Sequence, residues 1–314
     1  MTEAPGTTLS SLRAGFALQP HPVIVFNKSH SGSRILTELL QSAGVFMGAH
    51  CNESGDSLDM FELVDFLVRR YYPDYGPLWD PHREPDDQLQ DIARRMFQRH
   101  LEGFQPGDGR LWGWKLCETT YILPVLDFIF PNARYIHLIR DGRDVAFCDH
   151  HGPSDPFWRK IYFNTDRIRT FHGMRLTGPS YRRRSAVFNA LHWANSVTVG
   201  NNFGQMLRER YLDVRYERLC ADFPAAARRI LEFAGVPDPG SAISRMQPKI
   251  RSASVGKYRR HSRRELQPVM DIVKPLLLEL GYLPEDDERP RPSIWHSALA
   301  DRWLDRLRAR RKSE

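Results

Sequence analysis

Nowhere in this sequence is there an apolar run of about 18 residues, so no membrane-spanning helix is expected. Its first residues, MTEAPGTTLSSLRAG, lack the basic-then-apolar pattern of a secretory leader. Cysteine is scarce. Cys51, Cys117, Cys148 and Cys220 stand far apart, with no CxxC pair and no histidine at metal-ligand spacing. That pattern points to reduced thiols in a cytoplasm and gives no zinc site. Internal repeats and low-complexity tracts are absent, and so is the Gly-Lys-Ser/Thr ending of a Walker A loop. What is present is an excess of positive charge, 45 Lys+Arg against 38 Asp+Glu over 314 residues. The net charge of +7 suits anionic ligands or surfaces, yet acids are too plentiful for a histone-like chain, and no nucleic-acid partner is expected.

The chain is organised around Pro22–Gly44. Val23–Phe26 is a short, apolar, β-branched run that reads as a buried strand. Ile35–Leu40 then repeats apolar residues at helical spacing. Between them lies Asn27-Lys28-Ser29-His30-Ser31-Gly32-Ser33-Arg34. Strand, small loop and helix together aim backbone N–H groups and a helix N-terminus at an anion. Gly32 permits close approach, Ser31 and Ser33 offer hydroxyls, and Lys28 and Arg34 offer charge. The same pattern also fits an ordinary β–α turn with a capping serine.

Further along, residues 1–19 read as a loose arm and His50–Ser57 as a polar loop. Leu58–Tyr71 reads as a helix, Tyr72–Asp87 as a Pro- and Tyr-rich loop, and Leu89–His100 as another helix. Leu111–Leu116 is a strand, Thr120–Phe130 a helix, Arg134–Ile139 a strand and Asp141–Phe147 the start of a helix. Tyr181–Arg208 is a long helix, Tyr211–Tyr216 a strand and Pro224–Ala234 a helix. This alternation predicts an α/β domain with a central parallel sheet flanked by helices, over residues 20–284.

Pro131–His150, PNARYIHLIRDGRDVAFCDH, is the second informative stretch. Its strand ends at Arg140, at the edge where α/β sheets take ligands. A guanidinium there can grip a phosphate in two-pronged fashion. The alternative is a salt-bridged helix start, with Asp141 and Asp144 favourable at the dipole.

Together the two stretches resemble the sulfotransferase family that uses 3′-phosphoadenosine 5′-phosphosulfate (PAPS). His30-Ser31-Gly32-Ser33 is similar to that family's 5′-phosphosulfate loop, and the Pro131–His150 stretch to its 3′-phosphate motif. Trp112-Gly113-Trp114-Lys115, Val214-Arg215-Tyr216-Glu217, Ser254–Arg260 and Pro275–Tyr282 resemble later family segments in the right order. The resemblance implies a nucleotide-kinase-like, P-loop-like three-layer α/β domain, a PAPS co-substrate, a hydroxyl acceptor and no metal. It places Ser31, Gly32, Ser33 and Arg34 around the 5′-phosphosulfate, and Arg140 on the 3′-phosphate. Cys148 falls where the family has serine, and a thiol is the weaker donor. Tyr216 falls near the adenine. Gly256, Lys257 and Arg259 fall on a late loop over the 3′-phosphate. The run Arg245–Arg264, with eight Lys/Arg and no acid, suits a polyanionic cofactor; the alternative is a solvated basic loop. His30 replaces the family's usual cation before Ser-Gly, with Lys28 two residues earlier, so His30 is a candidate base or cation.

For the catalytic base, Glu118 and the Glu53/Asp56 pair are further candidates. Asp56 stands just before Leu58 and is read first as that helix's cap. His137, mid-strand, reads as a core histidine. His192 and Trp193 read as packing residues, and His150-His151 as a poor ligand pair. Glu285–Pro292 is a charged linker. Ser293–Lys312 reads as an amphipathic helix with Trp295, Leu299, Trp303 and Leu307 on one stripe, suited to a membrane surface or to self-association. The expected activity is sulfuryl transfer from PAPS in the cytoplasm, with peripheral membrane contact as an option. The alternatives are phosphoryl transfer on the same fold and a non-catalytic nucleotide-binding relative.

Overall fold

The computed structural model describes residue 13 and residues 21–75, 87–105, 109–149, 155–163, 186–247 and 252–284. The N-terminal arm apart from Arg13, the His150-His151 pair and the segment 285–314 lie outside the described residues. Contacts divide the chain into two compact units, Met1–Ile139 with Leu207–Arg251 and Arg140–Met206 with Ser252–Glu314.

The first unit holds four strands, β1 (Val23–Asn27), β2 (Gly113–Lys115), β3 (Arg134–Ile139) and β4 (Tyr211–Arg215). They form one sheet in the order β2-β1-β3-β4, with every pairing parallel. The described α-helices are α1 (Arg34–Ser42), α2 (Leu58–Tyr75), α3 (Asp87–His100), α4 (Leu123–Ile129), α5 (Gly142–Ala146), α6 (Pro156–Phe163), α7 (Ala186–Leu207), α8 (Tyr216–Ala221), α9 (Phe223–Ala234), α10 (Gly240–Met246) and α11 (Arg263–Glu279). The expected α/β architecture with a parallel sheet is therefore present.

Parallel strands are covered on both faces, which is why β1 and β3 are nearly continuous apolar runs. Alternate side chains go to opposite faces. On one face Val23, Val25, Ile136, Leu138, Leu212 and Val214 pack with Leu36, Leu39 and Leu40 of α1 and with Phe223, Ile230 and Leu231 of α9. On the other, Phe26 stacks on His137 with ring centroids 4.6 Å apart, and His137 Nδ1 lies 2.7 Å from the Tyr211 hydroxyl. His137 is thus the core residue the sequence suggested. Burial drives its pKa down to about 3, and the Arg215 charge pushes the same way.

His100 of α3 is a second neutral core histidine, lowered by burial to about 4. Its Nε2 stands 3.0 Å from the Gly113 carbonyl and its Nδ1 3.1 Å from the Ser57 hydroxyl. A carbonyl only accepts, so Nε2 carries the proton and Nδ1 accepts from Ser57. The Ser57 oxygen in turn accepts the Met60 N–H at 3.2 Å and caps α2. Ser57, and not Asp56, is therefore the capping residue.

These histidines make stability depend on pH. Unfolded, each binds a proton near pH 6.5; folded, only near pH 4 or 3. The stability they sustain is complete above pH 6.5 and is lost as pH falls toward those folded values. Each proton adds a slope of about 1.4 kcal/mol per pH unit. Urea unfolding between pH 6 and 5 should be shallower in pH for His137→Phe combined with Tyr211→Phe, by about 1 kcal/mol per unit. An unchanged slope would show that His137 is not held neutral.

Several boundaries differ from the sequence reading. The helix α2 runs on to Tyr75, through Pro73 and into the stretch read as a loop. The strand read over Leu111–Leu116 shortens to Gly113–Lys115. Gly113 faces β1 with no room for a side chain: a Cβ there would stand 1.9 Å from the Val23 carbonyl oxygen. The helix read over Thr120–Phe130 becomes a 3₁₀ turn, Cys117–Tyr121, followed by α4. Pro124 sits in the first turn of α4, where its missing N–H costs nothing. The basic run Arg245–Arg264 is not one loop. Arg245 belongs to α10, and Arg263 opens α11, twelve residues before the start read at Pro275. Ser262 and Glu265 explain that start. The Glu265 N–H donates to Ser262 Oγ at 3.3 Å, and the Ser262 N–H donates to Glu265 Oε2 at 2.9 Å, a reciprocal capping box.

In the second unit, α7 is buried nearly all round. His192 stacks on Tyr162 with centroids 3.8 Å apart. Asn195 Nδ2 donates to the Ile161 and Tyr162 carbonyls at 3.3 and 3.2 Å. His192 and Trp193 are packing residues, as their sequence context indicated.

Candidate functional site

Strand order fixes where the first unit offers a site. The chain leaves β1 toward β2 on one side and leaves β3 toward β4 on the other. The carboxyl ends of β1 and β3 therefore flank the topological switch point, where open α/β sheets take ligands. Lys28–Ser33 follow β1 there.

Two residues of this loop are left-handed, His30 with φ +66° and Gly32 with φ +88°. Ser31, between them, donates its N–H to the Lys28 carbonyl at 3.2 Å. Alternating handedness turns successive N–H groups to one side, the geometry of an anion nest. Ser33 at the N-cap of α1 has helical φ and ψ of −67° and −15°, and its hydroxyl makes no capping bond. The capping-serine alternative therefore does not hold. No acid occupies the first turn of α1, and Arg34 is its first residue. A cation at the positive end of a helix dipole is unfavourable alone, so this terminus is electrostatically prepared for an anion. Ser31, Ser33 and Lys28 are buried, whereas His30 and Arg34 are exposed. A Cβ on Gly32 would lie 2.4 Å from Tyr216 Cε2. The Tyr216 ring thus packs on the loop backbone at the first residue of α8, after the strand and not within it.

At the end of β2 stands a pair the sequence reading did not make. Lys115 Nζ is almost wholly buried and donates to Asp56 Oδ1 at 2.6 Å and to the Ser54 carbonyl at 2.8 Å. Arg34 Nη2 reaches Ser54 Oγ at 3.5 Å. Asp56 is therefore a partner of Lys115 and not a helix cap. A lysine ending an apolar strand was the available signal, since buried lysines need an acid. Glu53 is exposed, and Glu118 is half-buried in the turn after β2. Burial first, then the Glu118 and Asp56 charges, push the Cys117 thiol up, so it stays protonated.

The second unit carries the other motif. Arg140 is 7 % exposed, donates through Nη2 to the Ser254 carbonyl, and lies 3.5 Å from Asp144 Oδ2. Trp193 Nε1 donates to the Arg140 carbonyl at 2.9 Å, and its ring lies against Gly142, where a Cβ would stand 2.7 Å away. Asp141 caps α5 by accepting the Arg143 N–H at 2.9 Å, and it also accepts from Arg143 Nη2 at 2.7 Å. The salt-bridged helix start is thus real for Asp141 and Arg143. Asp144 does something else: it accepts the Gly256 N–H at 2.7 Å and the Tyr258 N–H at 2.9 Å. Arg143 stacks over the Tyr258 ring at 4.1 Å. Gly256 is left-handed, φ +75°, and a Cβ there would meet Arg259 Nη1 at 2.2 Å. Lys257, Arg259 and Arg260 are exposed. Cys148 is half-buried, with Asn189 Nδ2 3.3 Å from its carbonyl and 3.9 Å from its sulfur.

Among the described residues no group of three His, Cys, Asp or Glu could hold a metal, and no helix is long and apolar enough to cross a membrane. A family model described as the sulfotransferase family matches residues 22–240. No curated protein matches the chain. Similar solved structures include a mouse sulfotransferase complexed with PAP, 11% identical, covering 96% of this chain and 95% of that one with a TM-score of 0.44. A sulfotransferase of Mycobacterium avium is 15% identical over 88% of this chain and 83% of its own, with a TM-score of 0.43. A sulfotransferase domain from the curacin biosynthetic pathway is 14% identical over 92% and 98%, with a TM-score of 0.41.

Proposed function

Because the chain belongs to the sulfotransferase family, we propose that it moves a sulfuryl group from PAPS to an acceptor hydroxyl on a carbohydrate, glycolipid or small molecule. The observation that carries this reading furthest is the loop after β1. It pairs left-handed His30 and Gly32 with a helix N-terminus that has no acid and begins with Arg34.

In this reading the Ser31 and Ser33 hydroxyls, the loop N–H groups and Arg34 hold the 5′-phosphosulfate. Arg140 takes the 3′-phosphate, aided by Cys148 and by the loop of Gly256, Lys257 and Arg259. Tyr216 supports the loop at Gly32 as well as facing the nucleotide. The acceptor oxygen bonds to sulfur as the bridging S–O bond to PAP breaks. The acceptor proton passes to a base, and charge gathers on the leaving oxygen. One well-placed donor at such an oxygen is worth on the order of 3 kcal/mol in a dry site. His30 is the leading base. Glu118 and Glu53 are the reserves, since Asp56 is held by Lys115. The residues supply position and charge, as in phosphoryl transfer.

Phosphoryl transfer itself is disfavoured by the absent Gly-Lys-Ser/Thr lysine, which reaches the β- and γ-phosphates in Walker A enzymes. Thermal unfolding separates the two readings. PAP at a hundredfold excess over its Kd should stabilise the protein by about 2.7 kcal/mol. ATP at the same concentration should leave it unchanged. Stabilisation by ATP alone would overturn the proposal, and label transfer from sulfur-labelled PAPS to a panel of hydroxyl acceptors would identify the acceptor.

A further inference from the structure

The loop Ser252–Arg260 carries exposed cations, and what keeps such a loop in one shape is the question the second unit answers. Like-charged side chains at Lys257, Arg259 and Arg260 repel one another, so the backbone has to be held from elsewhere. The Asp144 side chain is fully buried. Each of its oxygens takes one loop N–H, Oδ2 from Gly256 at 2.7 Å and Oδ1 from Tyr258 at 2.9 Å. The same carboxylate stands 3.5 Å from Arg140 Nη2, which also donates to the Ser254 carbonyl. One buried anion therefore fixes the loop at two points and orients the arginine beside it.

We propose that Asp144 is a positioning residue that sets the enzyme's preference for a 3′-phosphorylated nucleotide, by clamping the 254–260 backbone and aiming Arg140. This rests on the reading of Arg140 as the 3′-phosphate arginine. Asp144 is too deep to touch ligand, and its charge would repel a phosphate; it acts through its partners. A carboxylate accepts at both oxygens, whereas an amide of the same shape accepts at one and presents N–H at the other. Asp144→Asn therefore sets an amide NH₂ against a backbone N–H at either Gly256 or Tyr258. It also removes the charge that orients Arg140.

Two measurements test the clamp in the full-length protein. Amide exchange without ligand should show Gly256 and Tyr258 losing protection about tenfold or more in Asp144→Asn, while β1 and β3 amides stay as in wild type. Calorimetry should show PAP binding weakened about tenfold to a hundredfold, with adenosine 5′-phosphosulfate, which lacks the 3′-phosphate, changed less than twofold. Asp144→Ala, which adds no clashing donor, should lie between Asp144→Asn and wild type in exchange. Equal weakening of both ligands, or unchanged PAP affinity, overturns the proposal. Protection lost throughout β1 and β3 overturns it as well, since Asp144 would then be a general stability residue. If wild type binds no PAP, the cofactor reading fails, and the selectivity role fails with it. The exchange result still decides whether Asp144 holds the loop.

Discussion

His30→Ala should lower turnover about 100-fold or more while PAPS affinity hardly changes. The residue is exposed and left-handed, with φ +66°. An L-residue in that region costs roughly 1–2 kcal/mol, a cost glycine avoids. Keeping a side chain at His30 therefore costs stability at this point of the loop. His30→Gly should accordingly unfold later by about 1 kcal/mol and still lose turnover as His30→Ala does. As a base, neutral His30 takes the acceptor proton, so the wild-type rate rises with pH through the imidazole titration and that limb vanishes in the mutant. His30→Lys then restores little. A fully active His30→Lys would make His30 the family's missing cation in another form, and the base would pass to Glu118 or Glu53. A His30→Gly protein that is both more stable and fully active would remove His30 from the chemistry altogether.

Arg140→Ala should weaken PAP by roughly 1.5–3 kcal/mol, about tenfold to more than a hundredfold, and adenosine 5′-phosphosulfate by far less. The arginine is 7 % exposed and anchored by the Ser254 carbonyl and Asp144. That anchoring fixes the guanidinium before ligand arrives, so little ordering cost remains for binding. Removing it leaves the buried Asp144 carboxylate its two backbone N–H donors but takes away its cationic neighbour, so the variant should also lose stability, and binding has to be compared between the two ligands in that same variant. Titration calorimetry with both ligands gives the answer. Equal losses would make Arg140 a structural residue, whatever its place at the end of β3.

Much of the fold is legible without coordinates because its causes are local. The β-branched run before the Ser-Gly loop makes β1, and RYIHLI makes β3 residue for residue. Ser262 and Glu265 also announce α11 in a four-residue window, and the long basic run around them hid that signal. Asp56 shows the opposite case. Its position two residues before α2 suggests a cap, yet an adjacent serine bonded to a buried histidine does the capping.

Composition and periodicity determined the parallel α/β sheet, the position of the Lys28–Ser33 loop after β1 and the arginine after β3. Each depends on neighbours within a turn or a strand, where side-chain period and backbone preference act directly. Tertiary structure alone decided which charges meet. Lys115 finds Asp56 across 59 residues, and Asp144 finds the Gly256 and Tyr258 amides across 112 and 114. It also decided that His100 and His137 are neutral and that Tyr216 lies on Gly32. A buried charge is tolerated only beside a partner, and that partner is supplied by closing a long loop, which leaves no periodic trace in the sequence.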